Sequence, residues 1–184
     1  VAANTLYGGS YSLLANTFAK MGISVTFVDP EAPIETIERA FRPETRAIFA
    51  ETIGNPGLNL LDFDKFSALS TTFGVPLVVD NTFATPVLCR PLELGAHIVV
   101  HSATKYLGGH GNSMGGVIVD GGCFSWDPQK FPGLTEPDAS YHGIRYVASF
   151  GSAAYIVKAR VQLLRDLGPT LSPFNAFLIS QGME

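Results

Sequence analysis

Charge is scarce in this chain. Of its 184 residues only 15% are Asp, Glu, Lys or Arg, while 46% are hydrophobic. A typical soluble domain carries about 25% charge, so much of this chain is expected to be buried. The net charge is -4, and the 12 basic residues form no run or stripe. Nucleic-acid binding therefore lacks its electrostatic footprint. No apolar stretch reaches about 18 residues, so no membrane span is expected. The first residues, Val1-Ala2-Ala3-Asn4-Thr5, lack the charged start and apolar core of a signal peptide. Only two cysteines occur, Cys89 and Cys123, at no metal or redox spacing. They are expected to be free thiols of a cytoplasmic protein. There is no internal repeat, no low-complexity tract and no initiator Met, so the sequence is expected to begin within a longer protein.

What is present is an alternation of two periods. Leu13, Leu14, Phe18 and Met21 recur at helical spacing within residues 10–21, ahead of Gly22. Residues 33–41 and 62–73 repeat that pattern, the latter with Asp62 as a candidate N-cap and Gly74 as a stop. Between them lie short apolar runs at 23–28, 47–51, 76–80, 98–103 and 115–120. Near-continuous apolar strands alternating with helices predict an α/β fold, a mostly parallel sheet flanked by helices on both faces. Residues 121–146, rich in Gly, Pro and aromatics, break the pattern and read as a long functional loop. Helical spacing returns over 152–167, is broken at Gly168-Pro169, and reopens at Ser172-Pro173.

Polar residues collect at the strand ends: Glu51, Asp80, the group Ser102, Thr104 and Lys105, and Asp120. In a parallel sheet these ends gather at the edge where ligands bind. Lys105 follows the apolar run 95–100, and a lysine amine that attacks a carbonyl forms a Schiff base. Two hydroxyls spaced two apart share a face in extended chain and suit a phosphate. A carboxylate can keep a pyridine nitrogen protonated so that the ring stores charge. Lys105, Asp80 and the Ser102/Thr104 pair together match the needs of pyridoxal 5'-phosphate, with Tyr7 a candidate aromatic face. His97 and His101 lie four apart on a strand and do not make a helical metal pair; no metal is expected. Both read as packing residues. His110 and His142 are weaker candidates near a substrate. Glu51 divides evenly between a site role and a structural one. The pairs Gly108-Gly109 and Gly115-Gly116 read as tight backbone turns.

Four ordered blocks between Thr5 and Tyr106 carry a resemblance. They are Thr5-Leu6-Tyr7-Gly8-Gly9-Ser10, Glu51-Thr52-Ile53-Gly54-Asn55-Pro56, Val78-Val79-Asp80-Asn81-Thr82-Phe83-Ala84-Thr85-Pro86 and Ser102-Ala103-Thr104-Lys105-Tyr106. In these blocks the chain resembles the Cys/Met-metabolism pyridoxal-phosphate enzymes. The stretches 108–120, 131–143 and 167–177 are similar in particular to the O-acetylhomoserine sulfhydrylase branch.

The resemblance implies a large cofactor-binding domain of fold-type I, aspartate aminotransferase-like and incomplete. Residues 1–168 would be its core, and residues 169–184 would start the helix leading to a further domain. It implies that Lys105 is the Schiff-base lysine and main proton shuttle, and that Asp80 pairs with the pyridine nitrogen. Tyr7 would stack on the ring and assist catalysis, Ser102 and Thr104 would contact the phosphate, and Asn55 would sit near the ring hydroxyl. The implied activity is γ-replacement: O-acetyl-L-homoserine with sulfide or methanethiol gives L-homocysteine or L-methionine plus acetate. A cystathionine γ-synthase or methionine γ-lyase of the same family, or an inactive truncated core, is the alternative. The implied partners are an amino-acid substrate, a sulfur donor and further copies of the chain in a dimer of dimers. No arginine for the substrate carboxylate can be named in these residues.

Overall fold

A computed structural model describes residues 1–183. The chain falls into two compact units, Val1–His101 and Ser102–Glu184. The first carries β1 (Ala2–Ala3), α1 (Gly8–Ser12), α2 (Phe18–Lys20), β2 (Phe27–Val28), α3 (Ile34–Glu38), β3 (Ile48–Glu51), α4 (Phe63–Phe73), β4 (Leu77–Asp80), α5 (Thr85–Leu88) and β5 (Ile98–Ser102). A turn of π-helix, Leu13–Thr17, joins α1 to α2. Its strands lie in the order β2-β1-β3-β4-β5, every pair parallel. Ile48 faces Leu77 and Glu51 faces Asp80, while Asp80 in turn faces Val100.

Helix α4 shows how sequence places an element. The Asp62 carboxylate accepts from the Lys65 N–H at 3.0 Å, and Gly74 closes the helix in the left-handed conformation. Phe66 and Leu69 on its inner face are wholly buried with Ile48, Leu77 and Val79 of the sheet. The Phe41 and Phe73 rings stack with centroids 4.0 Å apart.

The expected strand over 23–28 shortens to Phe27–Val28, because the Ile23 N–H is taken by the Phe18 carbonyl as the preceding helix winds off. Two elements have no signal in the periodicity. Ala2 and Ala3, each 1% exposed, form β1 between β2 and β3, where two small residues carry no β-branched signature. Helix α5 begins with Pro86 in its first turn, a position that proline suits.

The second unit carries β6 (Gly116–Asp120), α6 (Pro132–Thr135), α7 (Tyr146–Phe150), α8 (Ala154–Lys158), α9 (Arg165–Leu167) and α10 (Pro173–Met183). Val117, Ile118 and Val119 of β6 are each at least 36% exposed. Residues 121–146 contain more order than a loop. Phe124, Trp126 and Phe131 meet edge to face with centroids 4.8 to 5.6 Å apart, and Trp126 stacks on Tyr155 of α8. Asp138 is the hub. It accepts from the Ser140 N–H and hydroxyl, from the Tyr146 hydroxyl at 2.9 Å and from the Lys158 amine at 3.1 Å. That amine also lies over the Tyr146 ring at 4.6 Å.

The Ser140 hydroxyl, then Lys158 and Tyr146, hold the Asp138 carboxyl well below the usual carboxylate range. A depressed acid stabilises the fold above its unfolded pKa, near 4, and loses that contribution as pH falls through its folded value. Replacing Asp138 with Asn should therefore lower the thermal midpoint at pH 7. The gap to wild type should close progressively below about pH 4. Thermal melts by circular dichroism across pH 2.5 to 8 measure it.

Candidate active site

Two groups of candidate residues are held, one in each unit. In the first, β3 and β4 end side by side, and their last residues, Glu51 and Asp80, are register partners. Paired residues of parallel strands point to the same face, so both carboxyls leave the sheet on one side at its C-terminal edge. Asp80 is half-buried. Its Oδ1 accepts the Thr82 N–H at 2.9 Å and the Thr82 hydroxyl as well. This is an Asx turn closed by a second hydroxyl bond. Its Oδ2 has no hydrogen-bond partner among the described residues.

Glu51 is 8% exposed. Its Oε1 accepts the backbone N–H of Tyr7 at 2.8 Å, and the nearby backbone N–H of Asn55 also favours its ionised form. The Asn55 N–H donates to the Thr5 carbonyl at 3.2 Å. Burial, together with the Asp80 charge, pushes the Glu51 carboxyl up to about 7, against the pull of the two backbone donors.

Tyr7 caps the helical stretch that starts at Gly8, and its carbonyl accepts from Tyr11 at 2.9 Å. The ring is 55% exposed and lies over Gly9, where a Cβ would stand 2.6 Å from Tyr7 Cε1. Asn55 precedes a cis Pro56 in the turn that Gly54 and Leu58 close.

On the opposite face of the same strand ends runs a buried polar set. The Thr52 hydroxyl donates to Asn81 Oδ1 at 2.7 Å, and Asn81 Nδ2 donates to the Cys89 carbonyl at 2.9 Å. His101 is 5% exposed. Burial lowers its pKa, opposed by the Asp80 charge and its bond to the Asn81 backbone, and its Nδ1 has no partner. His97 Nδ1 accepts the Leu77 N–H at 3.2 Å, and burial lowers that pKa too.

The second group is the turn after β5. Ser102 is half-buried, Ala103 wholly buried and Lys105 exposed. The Lys105 N–H donates to the Ser102 carbonyl at 3.1 Å, and the Lys105 carbonyl accepts from Gly109 at 2.9 Å. Its amine forms no hydrogen bond or ion pair among the described residues. The Thr104 hydroxyl is engaged twice with one residue. It donates to the Gly115 carbonyl at 3.2 Å and accepts the Gly115 N–H at 3.0 Å. A hydroxyl has one proton, so donating it to a phosphate requires turning it from that carbonyl. Helix α10 packs against this turn. A Cβ at Gly182 would fall on the Gly108 backbone, and a Cβ at Gly115 would stand 2.6 Å from Ile179 Cδ1. His110 and His142 are exposed.

The chemistry of these donors fits pyridoxal phosphate. Asp80 offers a carboxylate pinned on Oδ1 by Thr82, Tyr7 an exposed ring, and Lys105 an exposed amine with no partner among the described residues. A carboxylate fixed on one oxygen is suited to receiving a ring N–H on the other.

The fold is of the α/β class, and the comparisons give the family. The sequence model of the Cys/Met metabolism PLP-dependent enzymes matches residues 1–184, and the chain belongs to that family. It is 54% identical over 192 residues to the O-acetyl-L-homoserine sulfhydrylase of Leptospira meyeri, covering 100% of this chain and 43% of that protein. It is 48% identical over 187 residues to the homocysteine/cysteine synthase of Saccharomyces cerevisiae, covering 42% of it. Among solved structures, a Campylobacter jejuni protein carrying N'-pyridoxyl-lysine-5'-monophosphate superposes with a TM-score of 0.92 at 30% identity, over 99% of this chain and 45% of that one. The O-acetylhomoserine sulfhydrylase of Wolinella succinogenes superposes at 0.84 and 37%, over 99% and 49%. The chain thus spans less than half the length of the relatives it matches.

The Glu51 bond to Tyr7, which joins residues 44 apart, has no signal in the sequence. The Thr82 bond to Asp80 was within reach, because Asp-x-Thr at a strand exit is an Asx-turn signal.

A carboxyl that holds its proton more tightly when folded lowers stability as pH rises between its unfolded and folded pKa values. For Glu51 that window runs from 4.5 to about 7. In the cofactor-free protein, Glu51→Gln should match wild type in stability near pH 4.5. It should gain on wild type up to about pH 7 and hold a constant lead above that. Urea midpoints at pH 5, 6, 7 and 8 check the trend.

Proposed function

We propose that the protein containing this chain binds pyridoxal 5'-phosphate and replaces the γ-substituent of O-acetyl-L-homoserine. Sulfide would give L-homocysteine, methanethiol would give L-methionine, and acetate would leave in either case. The observation that carries this reading is the 54% identity to an O-acetyl-L-homoserine sulfhydrylase across 100% of the chain. The exposed amine of Lys105, without a partner among the described residues, and the Asp80 carboxylate pinned by Thr82 support it.

When bound, the cofactor supplies an electron sink that makes the Cα and Cβ protons of an amino acid removable. Lys105 would hold the cofactor at its aldehyde carbon until substrate replaces it. The released amine would then take the proton at Cα and the next at Cβ, and return them as product forms. Asp80, kept in one orientation by Thr82, would accept the pyridine N–H on Oδ2. Tyr7 would lie on the ring face and assist the departure of acetate from Cγ. Ser102 and Thr104 would donate to the phosphate, and Asn55 would sit at the ring hydroxyl. The same reading takes residues 1–168 as the core of the cofactor domain and residues 169–184 as the lead into a further domain. It places the protein in the cytoplasm as a homotetramer, a dimer of dimers.

The test is an assay of the whole protein with O-acetyl-L-homoserine and sulfide, following homocysteine and acetate. Wild type should release them in equal amounts, and Lys105→Ala should lose at least about a hundredfold in kcat/KM. Asp80→Ala should bind the cofactor weakly and slow deprotonation. α-Keto acid released from methionine alone, with no product from O-acetyl-L-homoserine, would instead mark a lyase. Light scattering of the purified protein reads the oligomer directly.

A further inference from the structure

Glu51 is a buried carboxyl that the proposed chemistry does not use. A carboxyl placed out of water needs hydrogen bonds to offset its desolvation. Helix N–H groups or a coordinating cation would be common partners. Here the hydrogen-bonded partner is the Tyr7 N–H at the start of the first helical stretch, and the Asn55 N–H in the turn after β3 also favours its ionised form. Each belongs to a residue whose side chain is a candidate contact of the cofactor ring. The third such residue in this unit, Asp80, is the register partner of Glu51 itself. A single side chain therefore joins three backbone segments that would each present one group to one planar ring.

We propose that Glu51 is a positioning residue for the cofactor. Its carboxyl fastens the backbones of Tyr7 and Asn55 to the strand end next to Asp80. The stacking ring, the amide at the ring hydroxyl and the pyridine-nitrogen carboxylate are thereby held as one rigid set. This inference rests on the proposed cofactor reading. What the clamp requires is reach and an acceptor oxygen, and the negative charge is secondary. The neighbouring Asp80 charge already disfavours a second anion there. Tyr7 has no side-chain bond at the helix start to hold it otherwise. The Asn55 N–H also donates to the Thr5 carbonyl at 3.2 Å.

The geometry separates three substitutions. Glu51→Gln keeps the reach and an acceptor oxygen. Glu51→Asp keeps the charge but withdraws the oxygens by one methylene. Glu51→Ala removes both. The measurements are made on the whole protein, with pyridoxal phosphate titrated into the cofactor-free form. Three quantities are read: the dissociation constant, the visible circular dichroism of the bound cofactor, and the amide hydrogen exchange of Tyr7 and Asn55. Gln should leave the dissociation constant within about threefold of wild type. Asp and Ala should raise it about tenfold or more, the order expected for leaving a buried backbone donor without its acceptor. The visible dichroic band should weaken in Asp and Ala and persist in Gln. Exchange at Tyr7 and Asn55 should accelerate in Asp and Ala while the core strands stay protected.

An Asp variant that behaves like wild type beside a Gln variant that behaves like Ala would overturn the proposal, since charge and not reach would then be what matters. So would an Ala variant with unchanged affinity and dichroism. If Ala does not fold, the contrast between Gln and Asp decides alone. A wild-type protein that takes up no pyridoxal phosphate would instead contradict the cofactor reading itself.

Discussion

The parallel register that sets Glu51 beside Asp80 is the constraint on which the first unit's site depends. In a parallel ladder the partners point to the same face, so two carboxyls emerge together at the edge where strands end. Left alone, that pairing is unfavourable, because both groups lose water and repel one another. The structure resolves it unequally. Asp80 stays half-buried and is fixed by Thr82, while Glu51 is buried and is pushed up to about 7. Near neutral pH Glu51 is therefore partly protonated. A single well-oriented anion is what a protonated ring nitrogen needs opposite it. The burial that raises Glu51, with the Asp80 charge adding to it, thus eases the repulsion between the two.

The second unit solves a different problem, which is keeping a lysine exposed on a turn that does not wander. Lys105 follows a wholly buried Ala103 and precedes a chain of glycines. The turn is tied at Thr104 by two bonds to Gly115 and is covered by α10, which approaches so closely that no Cβ fits at Gly182. The amine is left without a partner among the described residues while the backbone beneath it is held. Further along, the aromatic segment before α7 is fastened by Asp138 to Tyr146 and Lys158. In that segment a buried phenol, an amine and a carboxylate satisfy one another.

Much of this was legible in the sequence, for reasons that particular residues make clear. The strands β3, β4 and β5 are apolar, short and bounded by polar residues. Helix α4 carries both its cap and its stop. The polar strand ends followed from those boundaries, and four ordered blocks pointed to one family. What escaped was non-local. Two alanines become a strand only because β2 and β3 lie on either side. Glu51 looks the same in sequence whether it faces solvent or two backbone amides, since its partner Tyr7 lies 44 residues away. Thr104 read as a plain hydroxyl for phosphate, and its engagement with Gly115 depends on how the chain returns after the glycines. Asp138, in a stretch that read as a loop, became a hub because Lys158 arrives 20 residues later.

On the proposed reading Lys105, and no other amine of the chain, holds pyridoxal phosphate. The sequence contains four other lysines, at positions 20, 65, 130 and 158. Of these, Lys65 is bonded to the Pro30 and Ala32 carbonyls and Lys158 to Asp138. Borohydride reduction of the protein loaded with cofactor, followed by proteolysis and peptide mass mapping, decides the matter. The account predicts the reduced pyridoxyl mass on the peptide that contains Lys105 and on no other. That mass on a peptide containing another lysine, or on none, would contradict it.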